Sequence, residues 1–210
     1  VGLVLSGGGA RAYAHIGVMQ ALRDANCPID FVGGASMGAV IGACLACGWP
    51  MEEIDRRIRK AFVESNPLSD YGLPVVSLVK GAKVDNRLKE HFGETRIEDM
   101  ALPFYAVSTN LTSGSFRVHA DGLLREALRA TISLPGILPP IVSEKNVLVD
   151  GAVLNNFPVD VMRDLHRGRI VGVDVAEPPV GLSPDEFEKP QSFLAWTSRH
   201  GFRSPPPIAN

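Results

Sequence analysis

FVGGASMGAVIGACLACGWPM, residues 31–51, carries no charged side chain along its whole length. Two structures compete for it. About 20 consecutive apolar residues reach across a bilayer, so the stretch can be read as one membrane helix. It can also be read as a buried strand that turns sharply into a helix, with the G-x-S-x-G of residues 34–38 at the corner. Glycines decide between them. Gly33, Gly34, Gly38, Gly42 and Gly48 would each weaken a continuous helix by about 1 kcal/mol relative to alanine. The spacing of Gly34, Gly38 and Gly42 also occurs in paired membrane helices, but a helix lying hard against strands needs the same small residues. Split in two, the run is a buried parallel strand, apolar throughout, and a buried helix of about ten residues, too short to span a bilayer. No membrane span is expected.

Working outward, residues 1–5 (VGLVL) read as a first buried strand, SGGG at 6–9 as a turn, and residues 11–25 as a helix on the spacing of Ile16, Met19 and Leu22. Residues 29–32 form the second strand and 37–47 the small-residue helix. Residues 51–63 make another helix, with Ile54, Ile58 and Phe62 on one face and a solvated face of Arg56, Arg57 and Lys60. A short helix N-capped by Asp85 ends near Gly93. Strand 104–109, a turn at Thr112-Ser113-Gly114, strand 116–119, helix 122–131, strand 147–149, helix 159–165 and strand 170–174 follow. This alternation predicts an α/β fold, a three-layer α/β/α sandwich around a mostly parallel sheet. The domain is read as residues 1–176. Residues 177–210 are read as a Pro-rich tail with a possible helix at 191–198. In that tail Phe193, Leu194, Trp196 and Phe202, beside Arg199 and Arg203, read as packing onto the domain or a partner, with an interfacial membrane anchor as the alternative.

The 210 residues, 45% apolar and 21% charged, suit one sizeable core. A net charge of −2 argues against a nucleic-acid partner. Three cysteines make no disulfide framework and fit a reducing, cytoplasmic compartment. Cys44 and Cys47 form a C-x-x-C late in a helix. A redox pair sits at a helix N-terminus, where the dipole lowers a thiol pKa, so core packing is favoured over redox or metal chemistry. No basic n-region or cleavage site precedes the first strand, so no signal peptide is expected. A chain that opens within a strand is expected to be a piece of a longer one.

The serine of a strand-to-helix turn holds a strained backbone with its hydroxyl outward, and the helix after it aims free N–H groups at the corner. Side chains in place of Gly34 and Gly38 would collide there. Gly7-Gly8-Gly9-Ala10-Arg11-Ala12 fits G-x-G-x-x-[GA] after a first strand, the dinucleotide-binding pattern. That pattern wants an acid at the end of the second strand. Here the second strand ends in glycines and the serine corner, and Asp30 stands at its beginning. The other use of such a loop is an oxyanion hole, backbone N–H groups aimed at a developing negative oxygen. Arg11 either holds the loop through an ion pair or meets an anionic substrate group.

A serine nucleophile needs a base. Of the five histidines, His166 lies inside a helix pattern and His200 in the tail, so neither stands out on a strand-end loop, and Ser36 comes after a single βα unit, too early for an α/β-hydrolase. Asp150 closes a strand and Gly151 turns the chain, which would put a carboxylate at the same end of the sheet as Ser36. Asp174 is a rival at another strand end. A carboxylate near pKa 4 is a weak base, but it works if it bonds the serine directly in apolar surroundings.

Together, Gly7-Gly8-Gly9-Ala10-Arg11, Gly34-Ala35-Ser36-Met37-Gly38 and Asp150-Gly151-Ala152 resemble the three motifs of the patatin-like phospholipases. The stretches LPGILPP (134–140) and LNNFP (154–158) look like the neuropathy target esterase branch. The resemblance covers residues 1–176. It implies a Ser–Asp dyad, Ser36 as nucleophile and Asp150 as base, with an oxyanion hole from the backbone of Gly7, Gly8, Gly9, Ala10 and Arg11, centred on Gly8, Gly9 and Ala10. It implies hydrolysis of a lipid acyl ester through an acyl-enzyme, with no cofactor or metal, and peripheral membrane contact. Ala12 and Tyr13 after the arginine, and Ala152 in the acid motif, depart from the family's usual glycines. A silent lipid-binding module or a dinucleotide-binding module is the alternative. Oligomeric state is not specified.

Overall fold

A computed structural model describes residues 1–65, 67–72 and 77–176. The tail, its possible helix and its aromatic cluster lie outside the described residues. In chain order the elements are β1 (Gly2–Leu5), a 3₁₀ turn (Gly9–Tyr13), α1 (Ala14–Asp24), β2 (Phe31–Ala35), α2 (Ser36–Ala46), α3 (Met51–Ile58), a π-helical turn (Arg59–Glu64) and α4 (Ala82–Phe92). Then come β3 (Phe104–Asn110), β4 (Ser115–His119), α5 (Leu124–Thr131), β5 (Ile141–Ser143), β6 (Asn146–Asp150), α6 (Val159–Leu165) and β7 (Ile170–Val173).

The uncharged run is a strand and a helix, and among the described residues no helix is long and apolar enough to cross a membrane. Four strands run parallel in the order β7-β1-β2-β3, and β4, β5 and β6 join antiparallel. Side chains alternate across the sheet as a period of two requires. Leu3, Leu5, Val32, Phe104 and Ala106 face the larger core, against α1, α2 and α5. Val4, Tyr105 and Val107 face a smaller one, closed by Val161 and Met162 of α6. The three layers are therefore unequal, with most of the described helix on one face.

Three readings change. The first helix opens as a 3₁₀ turn, because the glycine loop leaves no regular α-turn there. The helix at 82–92 starts after Gly81, whose φ of 86° only glycine adopts readily. Asp85 lies inside that helix and is no cap; its carboxylate accepts from Arg129 Nε at 2.6 Å. The third change concerns β6, which runs antiparallel to β3.

That direction places the site. On one edge of β3, residues 104–107 pair with β2, ending at Ala35↔Val107. Residues 108–110 pair with β6, starting at Ser108↔Asp150. The opposite edge is held by β4 over residues 106–110, so β2 and β6 must share the first edge. They run toward each other along it, and their carboxyl ends meet.

Candidate active site

Ser36 and Asp150 stand where the two strands meet. Ser36 Oγ donates to Asp150 Oδ2 at 2.7 Å. Ser36 has φ of +50°, a left-handed conformation that costs a non-glycine residue about 1–2 kcal/mol. The corner is held by close approach of backbones. A Cβ on Gly38 would lie 2.3 Å from Ser6 O and 2.5 Å from Leu5 O, and one on Gly34 would lie 2.7 Å from Leu5 O. The glycines thus let the corner and the start of α2 press against β1. Ala35 and Met37 complete the corner; Ala35 is fully buried. Gly151 answers the same crowding from the other strand, since its Cβ would meet Val107 O at 2.2 Å.

Asp150 is 2% exposed. Burial pushes its carboxyl up to about 6, against the pull of hydrogen bonds from the Ala152 N–H and the Ser36 hydroxyl. The Ala152 N–H reaches Oδ1 at 2.8 Å, so one carboxylate oxygen is held by the turn and the other faces the serine. Among the described residues no histidine bonds either member of the pair. His15 Nε2 contacts Ser6 O, and His119 Nε2 contacts Ser108 Oγ. The rival Asp174 is exposed and accepts from its neighbour Ala176 N.

Two supports were not visible in the sequence. The N–H of Ser36 donates to Thr131 Oγ1 at 2.9 Å, and Thr131 Oγ1 donates to Val107 O. The N–H of Asp150 donates to Ser133 O at 2.9 Å. Ser133 is tied in turn to Arg129, buried at 6% exposure, through Nη1 at 2.6 Å. The end of α5 is thus the bed for both strand ends. Apolar periodicity marked that helix, but nothing in a lone threonine and serine revealed a partner 95 residues away for the first and a main-chain bond to the end of β6 for the second.

The glycine loop lies beside the corner. A Cβ on Gly7 would be 2.9 Å from Ser36 Cβ. Gly7 N–H is occupied by Asn156 O at 3.1 Å, and Arg11 N–H by Gly8 O at 3.0 Å. The N–H groups of Gly7 and Arg11, expected in an oxyanion hole, are thus already engaged by main-chain acceptors. The groups between them, on Gly8, Gly9 and Ala10, have no backbone acceptor among the described residues. Gly9 has φ of +54°, which turns the peptide there as such a loop requires. The chemistry available is a hydroxyl bonded to a buried, basic carboxylate, with free N–H groups nearby. No acid closes β2 where a ribose would need one; Asp30 is at the far end. The C-x-x-C is a packing feature. Burial raises Cys44 well above the usual thiol range and Cys47 to about 11, so both are thiols at neutral pH.

A family model described as Patatin-like phospholipase matches residues 3–163. This chain belongs to the patatin-like phospholipase family. It is 37% identical over 182 residues to human patatin-like phospholipase domain-containing protein 6, covering 83% of this chain and 13% of that protein. It is 36% identical over 185 residues to the neuropathy target esterase sws of Drosophila melanogaster, with the same two shares. An uncharacterized NTE family protein of Mycobacterium tuberculosis is 39% identical over 175 residues, 83% of this chain and 30% of its own length. The chain thus spans less than a third of these relatives, and the likeness to the neuropathy target esterase branch read from the sequence stands. The fold is shared with VipD from Legionella pneumophila, at a TM-score of 0.54 and 17% identity over 74% of this chain and 46% of that one.

Proposed function

We propose that this domain hydrolyses lipid acyl esters, of the phospholipid or lysophospholipid class, with Ser36 as nucleophile and Asp150 as general base. The observation that carries the reading is the 2.7 Å bond between the hydroxyl and a carboxylate raised to about 6 by burial. A base titrating near the working pH accepts the serine proton as Oγ attacks the ester carbonyl. The negative oxygen of the tetrahedral intermediate faces the N–H groups of Gly8, Gly9 and Ala10, where donors are typically worth a few kcal/mol. The leaving alcohol departs with the proton, water cleaves the acyl-serine, and the acid is released. Val153 and Leu154, on the turn leaving Asp150, are apolar and about half exposed, which supports peripheral contact with lipid at this mouth. Three free cysteines support a reducing, cytoplasmic setting.

Labelling with a fluorophosphonate, with the modified peptide mapped by mass spectrometry, tests this on wild type and Asp150→Asn. Modification of Ser36 that drops sharply in the variant is the expected result. A folded wild type that takes no label would return the domain to a silent lipid-binding role.

A further inference from the structure

Asn156 follows the acid turn and reaches back to the glycine loop. Its main-chain oxygen accepts from Gly7 N, and its Nδ2 donates to Gly7 O at 3.3 Å. The second bond sets the orientation of the amide, because the reverse one would press two acceptor oxygens together. The atom left over is therefore Oδ1. It is buried and has no hydrogen-bond partner among the described residues. It lies 2.4 Å from the point a Gly7 Cβ would occupy, and Ser36 Cβ lies 2.9 Å from that same point. The missing glycine side chain thus lets the lone acceptor and the serine crowd the same face of the loop.

A buried acceptor needs a donor. It repels an oxyanion, so it is no part of the hole. In acylation the serine proton goes to Asp150 and on to the leaving alcohol, and no donor remains. Deacylation differs, because water brings two O–H groups. Its oxygen bonds the acyl carbon while one proton passes to Asp150. The C–O bond to Ser36 then breaks and Oγ recovers that proton. The second O–H stays on the product acid and needs its own acceptor throughout. We infer that Asn156 Oδ1 holds the hydrolytic water through this second O–H, making Asn156 a catalytic residue of deacylation. The inference rests on the acyl-enzyme reading above.

Methanol separates the roles, since it carries a single O–H, which Asp150 takes. The test uses p-nitrophenyl butyrate with and without methanol, on wild type and Asn156→Ala, whose main-chain bond to Gly7 survives. Should that variant fail to fold, the near-isosteric Asn156→Leu serves. Fluorophosphonate labelling and the p-nitrophenol burst should stay within about threefold, while steady-state hydrolysis falls about tenfold, the size of one lost hydrogen bond. The ratio of methyl ester to free acid should rise about tenfold. Labelling and turnover that fall together at an unchanged ratio would overturn the inference and leave the hydrolase reading intact. A wild type without label would remove both.

Discussion

The backbone N–H of Ser36 and the hydroxyl of Thr131, 95 residues apart in sequence, are joined by a 2.9 Å hydrogen bond. The same hydroxyl donates to Val107 O on the strand that carries both site strands. One side chain therefore ties the strained serine to β3. Thr131→Val removes both bonds and leaves a buried donor and acceptor unpaired, at a cost of about 2–3 kcal/mol. Thr131→Ser keeps both and should cost about 1 kcal/mol, through the lost methyl alone. Urea denaturation reads stability, and fluorophosphonate labelling rate reads the corner. Equal labelling in the two variants would show that the hydroxyl does not position Ser36.

Asp150 should control both rate and stability with pH, in opposite senses. Only the carboxylate is a base, so labelling should rise about tenfold per unit below pH 6 and level off above it. For stability, the folded carboxyl titrates at about 6 and the unfolded one near 3.9. Between those values the folded state binds more protons, so stability falls as pH rises through the window and is flat beyond it. The loss is about 2–3 kcal/mol at pH 7. Asp150→Asn, uncharged, should be inactive yet more stable than wild type at pH 7, with the two converging near pH 4. A less stable Asn variant at pH 7 would contradict the raised pKa.

His119 should tilt the profile the other way. Burial, with Arg117 nearby, lowers its imidazole to about 4, below the ordinary 6.5. Between those values the unfolded state binds the extra proton, so His119 adds stability that is present above 6.5 and lost as pH falls toward 4. The two groups oppose each other over about pH 4–6. Replacing His119 by Phe should expose the decline due to Asp150, and Asp150→Asn should leave only the rise due to His119. Urea midpoints at four pH values would separate the slopes.

Glycines of one chain should respond oppositely to alanine. A Cβ on Gly38 meets backbone oxygen at 2.3 Å, whereas one on Gly17 in α1 meets nothing within 4 Å. Gly38→Ala should cost at least about 3 kcal/mol, because the obstacle is main chain and cannot swing aside. It should also abolish labelling. Gly17→Ala should add up to ~1 kcal/mol by helix propensity with labelling unchanged. A tolerated Gly38→Ala would mean that the corner does not press on β1 as described.

Much of this was legible in the sequence because it is local. A serine between glycines, after an apolar strand and before a small-residue helix, can make few shapes. The glycine loop and the Asp150-Gly151 turn announce themselves in the same way. Boundaries were harder. The sequence places the start of the helix from Ala82 too late, with Asp85 as its cap, whereas the start is set by the backbone freedom of Gly81 and the acid pairs with Arg129.

By itself, then, the sequence determined an α/β domain with a serine at a strand-to-helix corner, an acid at a strand end and a glycine loop after the first strand, since each follows from steric limits within a few residues. Tertiary structure alone decided how they meet. β6 runs against β3, not with it, and reaches Ser36 because β2 stops halfway along the edge they share. Thr131, Ser133 and Asn156 acquire roles only once chain segments distant in sequence are packed within hydrogen-bonding range. Strand direction and polar partnership are set by which buried groups must be satisfied in the folded core, and no local pattern encodes that.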